Sequence, residues 1–398
     1  MKKIKIGLLP RIIIAIILGI IFGNILPETV IKIFVTFNSL FSQFLGFMIP
    51  LIIVGLVAPA IADIGKDAGR MLVITTILAY AMTLLSGFIS YATSDAIFPS
   101  IITPGTSMTD ISKANDLVPF FTVSIPPLMD VMTSLILSFT LGIGIAYLST
   151  DYLKNVFNDF REIVMKTIKV IIIPLLPIYI LGIFLNMAYS GQVFSVLTVF
   201  IKIIGIIFLL HIFVLLLQFT IAGVIVKRNP LRLLLKMLPA YFTALGTQSS
   251  AATIPVTLKQ TIKNGVNEDI AGFVIPLCAT IHLSGSTLKI VACALALMIM
   301  QGLPYDFPMI AGFIFMLGIT MVAAPGVPGG AIMASLGILA SMLHFGESEL
   351  ALMIALYIAM DSFGTACNVT GDGSIALIID KIFRKEKKTN PEEFVEQI

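Results

Sequence analysis

Charge is scarce in this chain. Only 12% of its 398 residues are Asp, Glu, Lys or Arg, while 58% are hydrophobic; soluble domains carry about 25% charged residues. No soluble fold hides that much apolar surface, so a bilayer must be the solvent for most of it. The net charge of +3 is too small to mark a nucleic-acid surface, and the basic residues fall in loops. Cysteine is scarce too. Cys278, Cys293 and Cys367 lie inside apolar stretches, are odd in number and lack metal-ligand spacing, which leaves them as reduced thiols in the membrane interior. A phosphate-cradling loop, HExxH and GxSxG are all missing, which argues against an ATP-driven pump and a membrane protease. Without a nucleophile–base constellation the chain is not expected to be an enzyme or to need a cofactor. The first apolar run is long enough to stay as a helix, and Asn24–Pro27 is not a small-residue cleavage site, so no cleavable leader is expected.

What is there is a series of long apolar runs. Six have spanning length, at about 8–26, 31–62, 70–97, 125–149, 162–188 and 193–226, a span needing about 20 residues. Beyond them the runs shorten and are broken by Ser, Thr, Gly and Pro. They predict a hairpin at 237–268, a span at 270–300, a second hairpin at 304–345 and a last span at 348–384. Basic residues gather at alternate junctions, at Lys2, Lys3 and Lys5, at Lys66 and Arg70, and at Lys154, Arg161, Lys166 and Lys169. The series continues at Lys227, Arg228, Arg232 and Lys236, and at Lys381 through Lys388, whereas the 98–124 loop carries only Lys113. By the positive-inside rule both termini are cytoplasmic, the first hairpin enters from the cytoplasm and the second from outside. Residues 282–286 (His-Leu-Ser-Gly-Ser) echo 368–372 (Asn-Val-Thr-Gly-Asp), each after a hairpin. That is the logic of inverted repeats with a binding site at the midplane.

The polar residues in these segments are the candidates for chemistry. Ser249-Ser250-Ala251-Ala252-Thr253-Ile254-Pro255 suits an unwound hairpin tip whose free N–H groups hold an anion; a short loop between two ordinary spans is the alternative. Ala323 to Gly330, with two prolines and three glycines, cannot continue a helix. Its lack of charge suits a buried flap better than an extracellular turn. Asp361, Thr365, Asn368 and Asp372 follow i, i+4, i+7, i+11 spacing and share one helix face. Their carboxylate, hydroxyl and amide oxygens suit an ammonium group or a hard cation such as Na⁺; a structural polar network is the alternative. His282, Ser286 and Lys289 share another face. Lys289 lies too deep to snorkel and needs an anion, either Asp361 or a substrate carboxylate.

These same residues resemble the glutamate transporter homologue family, the dicarboxylate/amino acid:cation symporters. Ser249 to Thr257 looks like its serine-rich first hairpin tip, Gly326-Val327-Pro328-Gly329 its second tip, and Asn368-Val369-Thr370-Gly371-Asp372 its last-helix motif. The resemblance implies an all-α polytopic membrane protein: eight transmembrane helices plus two re-entrant hairpins, a homotrimer in lipid and an elevator mechanism. Residues 1–66 and 98–190 would form the scaffold, 67–97 and 191–384 the transport domain, and 385–398 a cytoplasmic tail. Substrate would be held by Ser249, Ser250, Ser286, Val327, Gly329, Asp361, Gly364, Thr365 and Asn368, with Lys289 as a further candidate. One Na⁺ would take Asn368, Asp372 and backbone near Cys278, and another Thr280 and carbonyls of the second hairpin; His282 stands beside the first.

Two departures bear on specificity. Glutamate and aspartate members carry an Arg three residues after the aspartate, where this chain has Gly364. The bidentate clamp for a side-chain carboxylate is gone, unless Lys289 fills the space; if Lys289 instead pairs with Asp361, recognition of an amino group is in question. The family run Asn-Met-Asp-Gly-Thr is here His282 to Ser286, so that Ser284 replaces an Asp, and the third-span partners are replaced around Ala79–Met82. A third Na⁺ site is therefore lost or altered, and His282 could take a proton in its place. The resulting expectation is a cation-coupled symporter in a prokaryotic cytoplasmic membrane. It would carry an amino acid or small dicarboxylate, not strictly an acidic one, on Na⁺ or alternatively H⁺. An uncoupled facilitator or exchanger, a proton-coupled carrier of a neutral amino acid and a substrate-binding sensor remain as rivals.

Overall fold

Helix caps and helix breakers set the element boundaries. The computed structural model describes residues 7–64, 69–102, 117–191, 193–326 and 328–387. The expectations placed on Lys2, Lys3, Lys5, Lys66, Lys113, Val327 and the tail from 388 lie outside the described residues. Among the described residues the chain is all helical: α1 Leu8–Gly23, α2 Glu28–Ile64, α3 Arg70–Ile101, α4 Val131–Tyr147, α5 Tyr152–Thr167, α6 Ile173–Tyr189, α7 Val193–Val226, α8 Pro230–Thr247, α9 Ser250–Lys263, α10 Glu268–Ile281, α11 Ser284–Gln301, α12 Phe307–Ala323, α13 Gly330–Leu343, α14 Glu347–Ala359 and α15 Asp361–Lys387. Caps are specific where the sequence offers them. Asn229 accepts from Arg232 N ahead of Pro230, Asn267 from Asp269 N and Ile270 N, and Asp306 from Met309 N ahead of Pro308, which satisfies N–H groups that a helix start leaves free. A π turn, Ile168–Ile172, joins α5 to α6 immediately before Pro174, where the missing N–H interrupts the ladder.

Among the described residues five helical segments are long and apolar enough to cross a membrane, or six if α14 and α15, bent by 62° at Met360, count as one. That supports a multi-pass membrane protein. The spans at 270–300 and 348–384 are each two helices. The first breaks at His282–Leu283, the second at Met360. The first hairpin starts earlier than expected, at Pro230, because Asn229 caps it, and the fifth run begins at Tyr152 instead of 162.

α1, α2, α4, α5 and α6 pack on one another; α3 and α7 to α15 form a second assembly, which meets the first where α12 and α13 lie on α2 and α14 lies on α1 and α6. Within the first assembly, Gly19 and Gly23 of α1 sit where a Cβ would fall 2.7 and 2.6 Å from the Cβ atoms of Phe184 and Ala188 on α6. That is a close small-residue crossing of the kind membrane helices use, since lipid offers no hydrophobic drive to bring them together. In the second assembly α11 is enclosed, buried from Ser284 to Met300, while α3 and α7 turn Ile77, Ile201 and Leu209 outward. Ser286 and Lys289 are carried by this enclosed helix.

Candidate functional site

Two helix hairpins close on the start of α15. α8 ends at Gln248 in the left-handed region (φ 53°), Ser249 is extended, and α9 begins at Ser250. The Ser249 hydroxyl accepts from Ala252 N and donates to the Gly326 carbonyl at 3.0 Å, so the tips of the two hairpins touch. Gln248 donates to Ser362 Oγ at 2.9 Å, which ties the first tip to α15; Ser250 is buried. In the second tip Gly329 has φ +74°, and a Cβ on Gly330 would lie 2.2 Å from the Pro325 carbonyl. Only glycine fits that turn. It aims the Gly329 N–H at Asp361 Oδ2, 2.8 Å away.

The other Asp361 oxygen, Oδ1, is 3.0 Å from Lys289 Nζ. Both side chains are essentially fully buried, so the pair is the strongest electrostatic feature of the region. The ammonium also faces the Tyr357 ring (3.4 Å to its centroid) and the carbonyls of Tyr357 and Met360 at 3.4 and 3.5 Å. Gly364 makes room for it. A Cβ there would fall 2.7 Å from Lys289 Nζ. The lysine thus both fills the space beside Gly364 and pairs with Asp361. Thr365 lies one turn further on the same buried face, while both Asp361 oxygens are taken by Lys289 and Gly329.

Further along, α11 and α15 run past each other in opposite directions. Asn368 Oδ1 accepts from Gly285 N and Ser286 N at the start of α11 (2.8 and 3.3 Å), and its amide donates to Ser286 Oγ, which meets the Tyr357 hydroxyl at 2.9 Å. His282 Nδ1 lies 2.9 Å from Asp372 Oδ1, and its Nε2 faces Gln218 of α7. The echoed pentapeptides therefore pack against each other, 282 on 372 and 285–286 on 368. They are not equivalent in backbone, because 282–283 is a helix break and 368–372 is continuous helix.

The oxygens proposed for cations divide into two places. Asp372 Oδ2 is buried without a hydrogen-bond partner, which leaves a carboxylate oxygen of the kind a hard cation takes. Asn368 Oδ1 is engaged by backbone N–H groups, and the Cys278 carbonyl accepts His282 N in the helix. Thr280 is exposed, on the side of α10 that lines a cavity of about 800 Å³. Ala324, Pro325 and Gly326 of the second tip line it too, together with Asp159, Glu162 and Lys169 at the α5–α6 segment. Among the described residues no cluster of three His, Cys, Asp or Glu forms a transition-metal site.

Sequence reasoning overlooked three polar partners. Tyr357 precedes Asp361 by one turn and supplies both an aromatic face and a hydroxyl. His211 and Gln218 stand seven residues apart on α7, the periodicity of one helix face, and reach Gly285 O and His282; polar residues in so apolar a span were the available signal.

Comparison with known proteins places these features in context. A family model described as the sodium:dicarboxylate symporter family matches residues 8–382. A protein named serine/threonine transporter SstT from Acinetobacter baylyi is 26% identical over 398 residues, covering 95% of this chain and 98% of that protein. Proteins of the same name from two Acinetobacter baumannii strains, ATCC 17978 and AYE, are each 28% identical, covering 94% of this chain and 97% of theirs.

Proposed function

The chain belongs to the sodium:dicarboxylate symporter family, a family of membrane carriers and not of enzymes, and from that premise we propose that it is a Na⁺-coupled carrier of small neutral amino acids. The observation that carries the substrate class is the Lys289–Asp361 pair lying across Gly364. A positive group free to clamp a second carboxylate is not on offer there, since the lysine already holds Asp361 and fills the space. The carboxylate lies against the tip of the second hairpin through Gly329 N, and a substrate ammonium would reach it by displacing Lys289 from Oδ1. The relatives' names, serine/threonine transporter, point to the same class, and in this reading Asn368 and the main chain of the two hairpin tips would hold the α-carboxylate, Asp361 with Thr365 the ammonium.

The mechanism proposed is an elevator. α1, α2, α4, α5 and α6 form the scaffold (1–66 and 98–190), and α3 with α7 to α15 the moving domain (67–97 and 191–384), in a homotrimer with both termini and the 385–398 tail in the cytoplasm. The separate packing of the two assemblies supports it. Eight spans result when α5–α6, α10–α11 and α14–α15 each count as one and the hairpins α8–α9 and α12–α13 are re-entrant. Na⁺, a co-transported substrate, would be held at Asp372 Oδ2 with Asn368 and the Cys278 carbonyl, and a second ion at Thr280 with carbonyls of the second tip. The His282–Asp372 contact favours one other reading, in which a proton taken up there replaces a cation.

The test is counterflow and gradient-driven uptake in proteoliposomes, against a panel of amino acids and dicarboxylates, with and without Na⁺. Accumulation of serine or threonine only under an inward Na⁺ gradient is the expected outcome. Preference for aspartate, glutamate or a dicarboxylate would overturn the substrate class, and accumulation driven by a proton gradient alone would overturn the ion.

A further inference from the structure

Lys289 is unusual among the buried groups because its surroundings form a complete ammonium site. Its Nζ has a carboxylate oxygen at 3.0 Å, an aromatic face at 3.4 Å and two carbonyls, of Tyr357 and Met360, at 3.4 and 3.5 Å. The Tyr357 carbonyl belongs to the last turn of α14, the negative end of that helix, and Met360 is the residue that caps it. The same carboxylate accepts the Gly329 N–H of the second hairpin tip on its other oxygen. The tip is therefore shut onto a carboxylate whose charge is balanced from within the protein.

We propose that Lys289 is a tethered stand-in for the substrate's ammonium group. It balances Asp361 whenever substrate is not there to do so, lets the second hairpin close on that carboxylate, and so enables the unloaded carrier to cross. The inference rests on the carrier reading above. A carrier working in net uptake must return unloaded, and a buried unpaired carboxylate opposes closure of a dry flap over it. The lysine removes that obstacle. When substrate arrives, its ammonium takes Asp361 Oδ1, and the displaced Nζ keeps the Tyr357 ring and the Tyr357 and Met360 carbonyls. Gly364 makes this arrangement sterically available, since a Cβ there would lie 2.7, 2.9 and 3.3 Å from Nζ, Cε and Cδ of the lysine.

The experiment compares two fluxes in proteoliposomes of the full chain: net uptake of labelled serine or threonine into amino-acid-free vesicles, which requires unloaded return, and exchange into vesicles preloaded with the same amino acid, which does not. Lys289→Met is expected to lower the ratio of net uptake to exchange at least tenfold relative to the unsubstituted protein. Gly364→Ala, which keeps the charge but takes its place, should lower the same ratio. It decides the matter if Lys289→Met does not fold. A proportional fall of both fluxes, or an unchanged ratio, would overturn the inference, because a packing or substrate-binding role for Lys289 moves the two together. An unsubstituted protein with neither flux for any amino acid would overturn the carrier reading itself, and so separates the two failures.

Discussion

At the residue scale, the expected substrate preference turns on Lys289 and Gly364, which together set how Asp361 is paired. A buried ion pair is costly to form and more costly to break, because removing one partner strands the other charge. Asp361→Asn is therefore expected to destabilise the protein by about 3–5 kcal/mol and to abolish uptake. Adding Lys289→Met to it should recover most of the stability and none of the uptake. Thermal melting of the purified variants alongside uptake reads both, and a double variant as unstable as the single one would show that the pair is not what holds the two helices. Gly364→Arg places a second cation where Lys289 already sits. Its expected outcome is loss of neutral amino-acid uptake with no gain for acidic ones, whereas Gly364→Arg combined with Lys289→Met should gain uptake of aspartate or glutamate. Competition uptake with labelled substrates decides it. Sequence spacing could nominate Lys289, Asp361 and the missing side chain at Gly364 separately. It could not choose between filling the space and pairing the carboxylate, because the two residues are 72 positions apart and their meeting depends on how α11 crosses α15. Tyr357 was missed for the same reason, since its ring acts on a lysine from another helix.

At the element scale the hairpin tips were legible and the helix breaks only partly so. Ser249 to Pro255 and Ala323 to Gly330 announce themselves by residues that cannot continue a helix or that cap one. The break at His282–Leu283 lies within the polar run flagged beforehand. The 62° bend at Met360 follows Ile358-Ala359 with no glycine or proline, so tertiary contacts set it and local preference does not. The echo between 282–286 and 368–372 marked two segments that touch, though not two copies of one backbone shape. Ser249→Ala removes a cap and the contact between the tips, each worth roughly 1 kcal/mol. It is expected to weaken apparent substrate affinity by about fivefold with little change in maximal rate, and concentration-dependent uptake checks this. Gly330→Ala brings a methyl group within 2.2 Å of the Pro325 carbonyl and should cut transport by roughly tenfold or more while leaving the melting temperature nearly unchanged, because the strain is confined to the tip.

At the scale of the whole molecule, the claim is that two helical assemblies slide past each other and carry an amino acid with Na⁺. α13 meets α2 and α4 at Gly337, where a Cβ would fall 2.7 Å from Ile49, 3.0 Å from Val131 and 3.2 Å from Ile53. Gly337→Val roughens that contact and is expected to slow turnover several-fold while substrate binding to detergent-purified protein holds within about twofold. Loss of binding in equal measure would mean that the contact shapes the site and not the motion. The overall division into an apolar, multi-pass chain with two hairpins could be seen in composition and in helix breakers alone. The grouping of helices could not, because α3 joins α7 to α15 across the intervening α4 to α6, and no local signal states that pairing. The central claim meets its most direct test in labelled serine and threonine uptake by proteoliposomes of the purified chain under an inward Na⁺ gradient, with choline replacing Na⁺ as the control. Accumulation above the external concentration in Na⁺ alone, with aspartate and glutamate at least tenfold poorer as competitors, is the result expected; equilibration without accumulation, or accumulation that ignores Na⁺, would contradict it.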